Sequence, residues 1–415
     1  MNIVRISTAG SVDDGKSTLI GRLLYDTQSL SKDKIENIEQ LSRQRGLNEI
    51  DFSLITDGLT AEREQGITID VAHIYFNTLH RKYIVADTPG HIEYTRNMIT
   101  GASNSQVFLI LIDARKGIIE QTKRHLFIAS LMEIKNMVCV INKMDLVDYE
   151  ESVYLKICAD IDKLKEKFGL GDKSLTFIPV SAKEGDNVVS KTSAMPWYSG
   201  NTLLDYLEKV ELKRNEQATF RFNVQYVIRP HSNEFHDFRG YAGKVMSGQL
   251  KIGDRVVVQS SGQESTVKAI HKYKDALLRT VQGDAVTIEL EDDIDISRGD
   301  ILSLATERIE GTRTLSSKIC WLGKEELNVQ KRYLLQYASA KIPVKIAAVN
   351  SRLDFDSLDF EAAPERIAVN SISRIEIKSA SPLYMDAYKI NTKNGYFILV
   401  DPSTNATVAV GFSEN

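Results

Sequence analysis

Only three cysteines occur in the 415 residues, Cys139, Cys158 and Cys320, and no two of them are spaced C-x-x-C. An odd number without such a pair gives no disulfide framework and fits a reducing cytoplasm. Cys139 lies in the apolar run 137–141, where a buried strand thiol is expected. Long hydrophobic runs are missing as well: no stretch approaches the ~18 apolar residues that span a bilayer. The first ten residues lack the charged and apolar regions of a signal peptide. A cytoplasmic chain with no membrane partner is expected. Neither charge sign dominates, because 52 Lys and Arg stand against 56 Asp and Glu for a net charge of −4. No global positive field draws nucleic acid or anionic membrane, so nucleic acid is not an expected partner without a local basic patch.

The length suggests two to four domains at about 100 to 200 residues each, and the pattern of the chain favours three. Up to about residue 212, apolar strand-like runs (3–8, 82–86, 107–112, 137–141 and 176–180) alternate with helix-like segments (16–24, 121–131 and 151–168). That is the grammar of an α/β domain with a mostly parallel sheet. Residues 213–311 change to short alternating runs divided by turn signals at Gly248, Gly253, Gly262, Gly283 and Gly299, which predicts a β-barrel. Residues 312–415 read as a second barrel, with a hairpin expected at Asn394-Gly395 between 388–390 and 396–400. Residues 26–65 hold one predicted helix, 33–45, and are too long for a plain connection, which suggests a functional insertion.

Gly10, Ser11, Val12, Asp13, Asp14, Gly15, Lys16 and Ser17 fit G-x-x-x-x-G-K-[ST], placed after a strand and at the start of a helix. Backbone N–H groups of such a loop wrap phosphates, Lys16 reaches the β and γ phosphates, and the Ser17 hydroxyl ligates Mg. Asp87, Thr88, Pro89 and Gly90 close a strand run. Alone they read as a β-turn, but behind a P-loop Asp87 takes the place of a carboxylate that holds Mg, and Gly90 of a γ-phosphate donor. Asn142, Lys143, Met144 and Asp145 form N-K-x-D after a buried strand. The Asp145 carboxylate can accept from N1–H and N2–H₂ of guanine, a donor pair that adenine lacks. Ser181, Ala182 and Lys183 follow another strand; Ser181 alone would read as a helix N-cap, and in this order the segment offers an N–H to guanine O6. Thr68, in the segment 63–70, is the candidate Mg-sensing switch residue, or simply part of a strand start. His91 is placed to orient the attacking water, which with Lys16 makes the candidate catalytic pair.

These residues resemble the elongation-factor family of GTPases, and within it the GTP-hydrolysing large subunits of bacterial heterodimeric sulfate adenylyltransferase (ATP sulfurylase). The likeness lies in GSVDDGKSTLIGRLLYD (10–26), DGLTAEREQGITIDVA (57–72), DTPGHIEYTRNMITGAS (87–103), IDARKG (112–117), INKMDLVDY (141–149), MPWYSG (195–200) and RGYAGKVMSG (239–248). It is strong to about Asp300 and weak beyond Thr312. Asp14, where elongation factors usually carry His, together with 57–72 favours the sulfurylase subunits. The resemblance implies a P-loop GTPase domain followed by two β-barrels, with GTP as substrate and Mg as cofactor. It assigns 13–18 to phosphate and Mg (Thr18 included), Thr68 to the Mg switch, 87–91 to the γ-phosphate, Asn142, Lys143 and Asp145 to guanine, and Ser181 with Ala182 to its O6. It further implies a small ATP-binding partner subunit that adenylates sulfate, driven by GTP hydrolysis here.

The stretch 231–237, HSNEFHD, is longer than the family loop; a metal site from His231 and His236 competes there with a solvated polar loop. No second P-loop follows Ser181, so a fused adenylylsulfate kinase is not expected. Two rival functions share the same domains: delivery of aminoacyl-tRNA by an elongation-factor-like GTPase, and a GTP-switched interaction module. The acidic run Glu289, Glu291, Asp292, Asp293 and Asp295 argues against tRNA.

Overall fold

The structure is a computed structural model, and it describes every residue except 1, 45, 48, 56–71, 89–94, 103, 213–217, 231–237, 355, 356, 358, 363–365 and 415. The chain divides into two compact units, one centred on Met1–Leu212 and one built from Lys213–Asp354 and Asp359–Asn415.

In the first unit the elements run β1 (Asn2–Ala9), α1 (Lys16–Asp26), α2 (Lys32–Gln44), β2 (Ala72–Asn77), β3 (Arg81–Asp87), α3 (Thr95–Ala102), β4 (Val107–Asp113), α4 (Glu120–Leu131), β5 (Asn136–Asn142), α5 (Glu151–Lys167), β6 (Ser174–Pro179) and α6 (Leu203–Lys209). The strands form one sheet in the order β2-β3-β1-β4-β5-β6. Every pairing is parallel except the edge pair β2–β3. All seven residues of β4 are buried, as expected where helices cover both faces of a parallel sheet and no alternation survives. On α5 the helical spacing buries Ile157 and Ile161. β1 is flanked by β3 on one side and β4 on the other, so strand order reverses there and the loop after β1 opens into a crevice at the carboxyl edge.

The second unit contains two closed six-stranded barrels. The first is formed by Arg221–Ile228, Gly240–Ser247, Arg255–Val258, Glu264–Lys272, Ala285–Leu290 and Ile301–Leu304, closed by pairing of Arg255–Val258 with Glu264–Lys272. Alternating burial along Ala285–Leu290 sends Val286, Ile288 and Leu290 into a core with Phe222, Tyr241 and Val256. Gly248, with φ 68°, makes the expected turn, and a Cβ there would lie 2.5 Å from the Ala218 carbonyl oxygen. The second barrel comprises Thr312–Trp321, Arg332–Tyr337, Ala340–Leu353, Ile372–Leu383, Tyr396–Val400 and Thr407–Ser413, closed between Arg332–Tyr337 and Ala340–Leu353.

The hairpin expected at Asn394-Gly395 is absent. Residues 388–390 form a turn, and Tyr396–Val400 pairs with Thr407–Ser413 and Arg332–Tyr337 instead. The Asn394 side chain is drawn into the protein, donating to the Tyr384 carbonyl at 3.1 Å and the Asp386 carboxylate at 3.0 Å. Beside it, the buried Arg221 guanidinium makes a two-bond pair with Asp386 at 3.1 and 3.0 Å and also donates to the carbonyls of Phe220 and Glu307. One cation thus ties the first strand of one barrel to a loop of the other.

Candidate nucleotide site

Residues 10–15 lead from β1 into α1. Asp13 and Gly15 both have left-handed backbone, φ 68° and 92°, and a Cβ on Gly15 would lie 2.4 Å from Asn142 Nδ2. Glycine is therefore required at 15 by conformation and by space. Lys16 opens α1 and is buried, its Nζ donating to the carbonyls of Gly10 at 2.8 Å and Ser11 at 2.9 Å. The ammonium sits within the curl of the loop. Burial pushes its pKa down, while the nearby charges of Asp87, Asp14 and Asp13 oppose that shift. The Asp14 carboxylate accepts the Ser11 N–H at 2.6 Å; its burial raises the carboxyl pKa, against the pull of that bond and of Lys16. Val12, Ser17 and Thr18 are half-buried, the last two in the first turn of α1.

Strand register brings Asp87 alongside. Thr8 of β1 pairs with Asp87 of β3, the Thr8 hydroxyl donates to Asp87 Oδ1 at 2.9 Å, and the Thr88 hydroxyl donates to the Thr8 carbonyl. Two hard oxygen donors, the Ser17 hydroxyl and the Asp87 carboxylate, thus flank the Lys16 loop, a donor set suited to Mg.

Asn142, the last residue of β5, donates from Nδ2 to the Asp14 carbonyl at 2.8 Å and accepts at Oδ1 from the Ala182 N–H at 3.0 Å. A single buried amide so joins three loops at the carboxyl edge. Lys143 has φ 64°, and its Nζ reaches the Asp13 carbonyl at 2.5 Å and Asp113 Oδ2 at 3.0 Å. Met144 is buried, with its N–H on the Val180 carbonyl at 3.2 Å. Asp145 is half-buried, and its carboxylate accepts no hydrogen bond among the described residues. Ser181 caps no helix; its Oγ accepts the Glu184 N–H at 3.2 Å within a turn. Lys183 pairs with Glu49 at 3.2 Å, and its carbonyl accepts from Arg22 at 3.1 Å.

The structure therefore gathers residues 10–18, 87, 88, 142–145 and 181–183 at one edge of the sheet. Thr68, Pro89, Gly90 and His91, with most of the switch segment, lie outside the described residues, as do His231 and His236. Three participants escaped the motif reading. Asp113, at the end of β4, holds Arg115 and Lys143. Burial alone would raise its pKa, but these two cations outweigh that and hold the carboxyl far below the usual range. His125 of α4 is buried with Nδ1 unpartnered among the described residues, and burial together with the Lys16 charge pushes its pKa down to about 3. The segment 112–117 carried the resemblance without giving Asp113 or Arg115 a role, His125 lies in no motif, and the Lys143 partner of Asp113 comes from another element. Among the described residues no helix is long and apolar enough to cross a membrane.

A curled loop of N–H donors at the N-terminus of an 11-residue helix, with a buried ammonium inside it, suits a polyphosphate. The elongation factor Tu GTP binding domain model matches residues 1–213, and the GTP-eEF1A C-terminal domain-like model matches residues 314–413. Sulfate adenylyltransferase subunit 1 of Saccharophagus degradans is 44% identical over 99% of this chain and 86% of its own length. The bifunctional enzyme CysN/CysC of Mycobacterium tuberculosis is 43% identical over 99% of this chain and 67% of its own. Among solved structures, the Ski7 GTPase-like domain of S. cerevisiae has a TM-score of 0.52 at 18% identity, covering 99% of this chain and 97% of that one, a likeness of fold alone. The chain belongs to the elongation-factor-Tu-type GTP-binding family and, within it, to the sulfate adenylyltransferase subunit 1 proteins.

Proposed function

We propose that this chain hydrolyses Mg-GTP and thereby drives the formation of adenylylsulfate from ATP and sulfate on a small partner subunit. The observation that carries the nucleotide assignment is the Asn142 bridge, which joins the P-loop to the loop offering the Ala182 N–H. In this reading residues 10–15 wrap the phosphates and Lys16 neutralises the β and γ oxygens. Ser17 and Asp87 hold the metal, with Thr68 completing its shell while the γ-phosphate is present. Bound Mg would supply charge neutralisation at the phosphates. Asp145 accepts from guanine N1–H and N2–H₂, Ala182 donates to O6, and Lys143 holds the base loop on the P-loop. His91 orients the attacking water.

Residues 1–212 act as the GTPase domain, and 213–311 and 312–415 as two barrel domains. The sulfate side of the proposal rests on the names of the relatives and on the identity shared with them along nearly the whole chain. A reducing cytoplasm suits the buried, unpaired thiols Cys139 and Cys320. Affinity purification from the native cell tests the assignment: an ATP-binding subunit that makes adenylylsulfate should co-purify, and tRNA or ribosomes in its place would contradict it.

A further inference from the structure

Asp113 has a fully buried side chain, and each of its contacts is to a group near the nucleotide loops. Its Oδ1 accepts the Arg115 N–H and Nε, both at 3.0 Å, and its Oδ2 accepts Arg115 Nη2 at 2.7 Å and Lys143 Nζ at 3.0 Å. The β4–β5 register pairs Asp113 with Asn142, which puts the carboxylate one residue from Lys143. The Ala114 N–H adds a bond to the Asn142 carbonyl at 2.9 Å. From Asp113 the Lys143 ammonium extends to the Asp13 carbonyl. The P-loop residue Asp13 and the base-loop residue Lys143 are both in left-handed backbone, so the contact joins two tight turns of the site.

We propose that Asp113, clamped by Arg115, is a positioning residue that fixes the Lys143 ammonium on the P-loop and so sets how long guanine nucleotide is retained. The inference rests on the nucleotide site proposed above. A lysine ammonium is a mobile point charge on a flexible stem. With only the Asp13 carbonyl to hold it, it exchanges that bond for water, and the P-loop and base loop lose one of their two ties. Asn142 supplies the other. Nothing in this linkage touches the γ-phosphate. Its loss therefore weakens GDP and GTP by the same factor and leaves the hydrolysis of bound GTP alone, the pattern of an interaction equally strong in ground and transition states.

The test uses displacement of N-methylanthraniloyl-GDP and its GTP counterpart from the full-length protein, with single-turnover hydrolysis measured in parallel. Asp113→Asn is expected to raise both dissociation rates by about 10- to 100-fold, the range for losing a hydrogen bond to a charged group. Lys143→Ala should do the same, and the double variant should be no faster than Lys143→Ala. The single-turnover rate of Asp113→Asn, which alters a residue outside the nucleotide-contacting set, should stay at its parental value. Parental dissociation in Asp113→Asn, or a full further increase in the double variant, overturns the proposal. If Asp113→Asn does not fold, Arg115→Ala decides, because its side chain is 46% exposed and its removal spares the buried carboxylate. It should speed dissociation to a smaller degree and only when Lys143 is present, and an unchanged rate overturns the idea. Parental rates in Lys143→Ala would instead contradict the nucleotide site itself.

Discussion

The Asn142 side chain donates to the Asp14 carbonyl across 2.8 Å, tying the end of β5 to the loop that follows β1. The same amide accepts from Ala182, so no other described side chain links all three nucleotide loops. Asn142→Ala removes both bonds and strands a buried carbonyl and a buried N–H, at about 1 to 3 kcal/mol for each group left unpaired. GTP affinity is expected to fall by one to three orders of magnitude on the order-of-magnitude scale of 1.4 kcal/mol per tenfold. Titration calorimetry checks it, and a parental Kd would contradict the bridging role.

Asp145 has the complementary task of reading the base. Asp145→Asn should reverse the preference from GTP to XTP, because the side-chain amide donates to the xanthine oxygen that replaces the guanine amino group. Competition between the two nucleotides measures it; an unchanged order would remove Asp145 from the base pocket.

His125 makes the first unit sensitive to acid. Its pKa in the folded chain is about 3, against an ordinary value of 6.5, so between those limits the unfolded chain binds the extra proton. Stability contributed by the neutral imidazole is complete above about pH 6.5 and is lost as pH falls toward 3. Urea midpoints measured from pH 7 to 4 should decline, and less steeply in His125→Gln. An identical slope in the variant would assign the acid sensitivity elsewhere.

In the second unit, Arg221→Met should cost about 3 to 5 kcal/mol, the usual cost of leaving a buried charge without its partner. Asp386 is the group stranded, although Asn391 and Asn394 still donate to it at 2.9 and 3.0 Å. Denaturant unfolding followed by Trp321 fluorescence reads the loss, and the pair Arg221→Met with Asp386→Leu should recover much of it. A single variant as stable as the parent would show that Arg221 does not join the barrels.

The sequence made the α/β unit legible because β4 and β5 are continuous apolar runs and because the P-loop, N-K-x-D and Ser181-Ala182-Lys183 each follow a strand end. The barrels were legible from turn glycines such as Gly248. Local pattern failed at Asn394-Gly395, where residues 392–394 do turn but 388–390 form a second turn instead of a strand, so no hairpin closes and the Asn394 side chain bonds Asp386 instead. It could not reveal the Asp113–Lys143 pair, 30 residues apart, or Arg221–Asp386, 165 apart. Those contacts exist only once strand register and barrel packing are fixed.

Coupling of GTP hydrolysis to the partner's chemistry is the central claim, and one assay addresses it directly. Steady-state GTP hydrolysis by the purified chain is measured alone, with the co-purifying small subunit, and with that subunit plus ATP and sulfate. The chain alone should turn over slowly and make no adenylylsulfate. The partner with both substrates should accelerate hydrolysis on the order of 10³-fold or more, by analogy with activators that complete a GTPase site. Adenylylsulfate should accumulate only while GTP is consumed. Turnover indifferent to the partner and its substrates would contradict the coupling while leaving the GTP site in place.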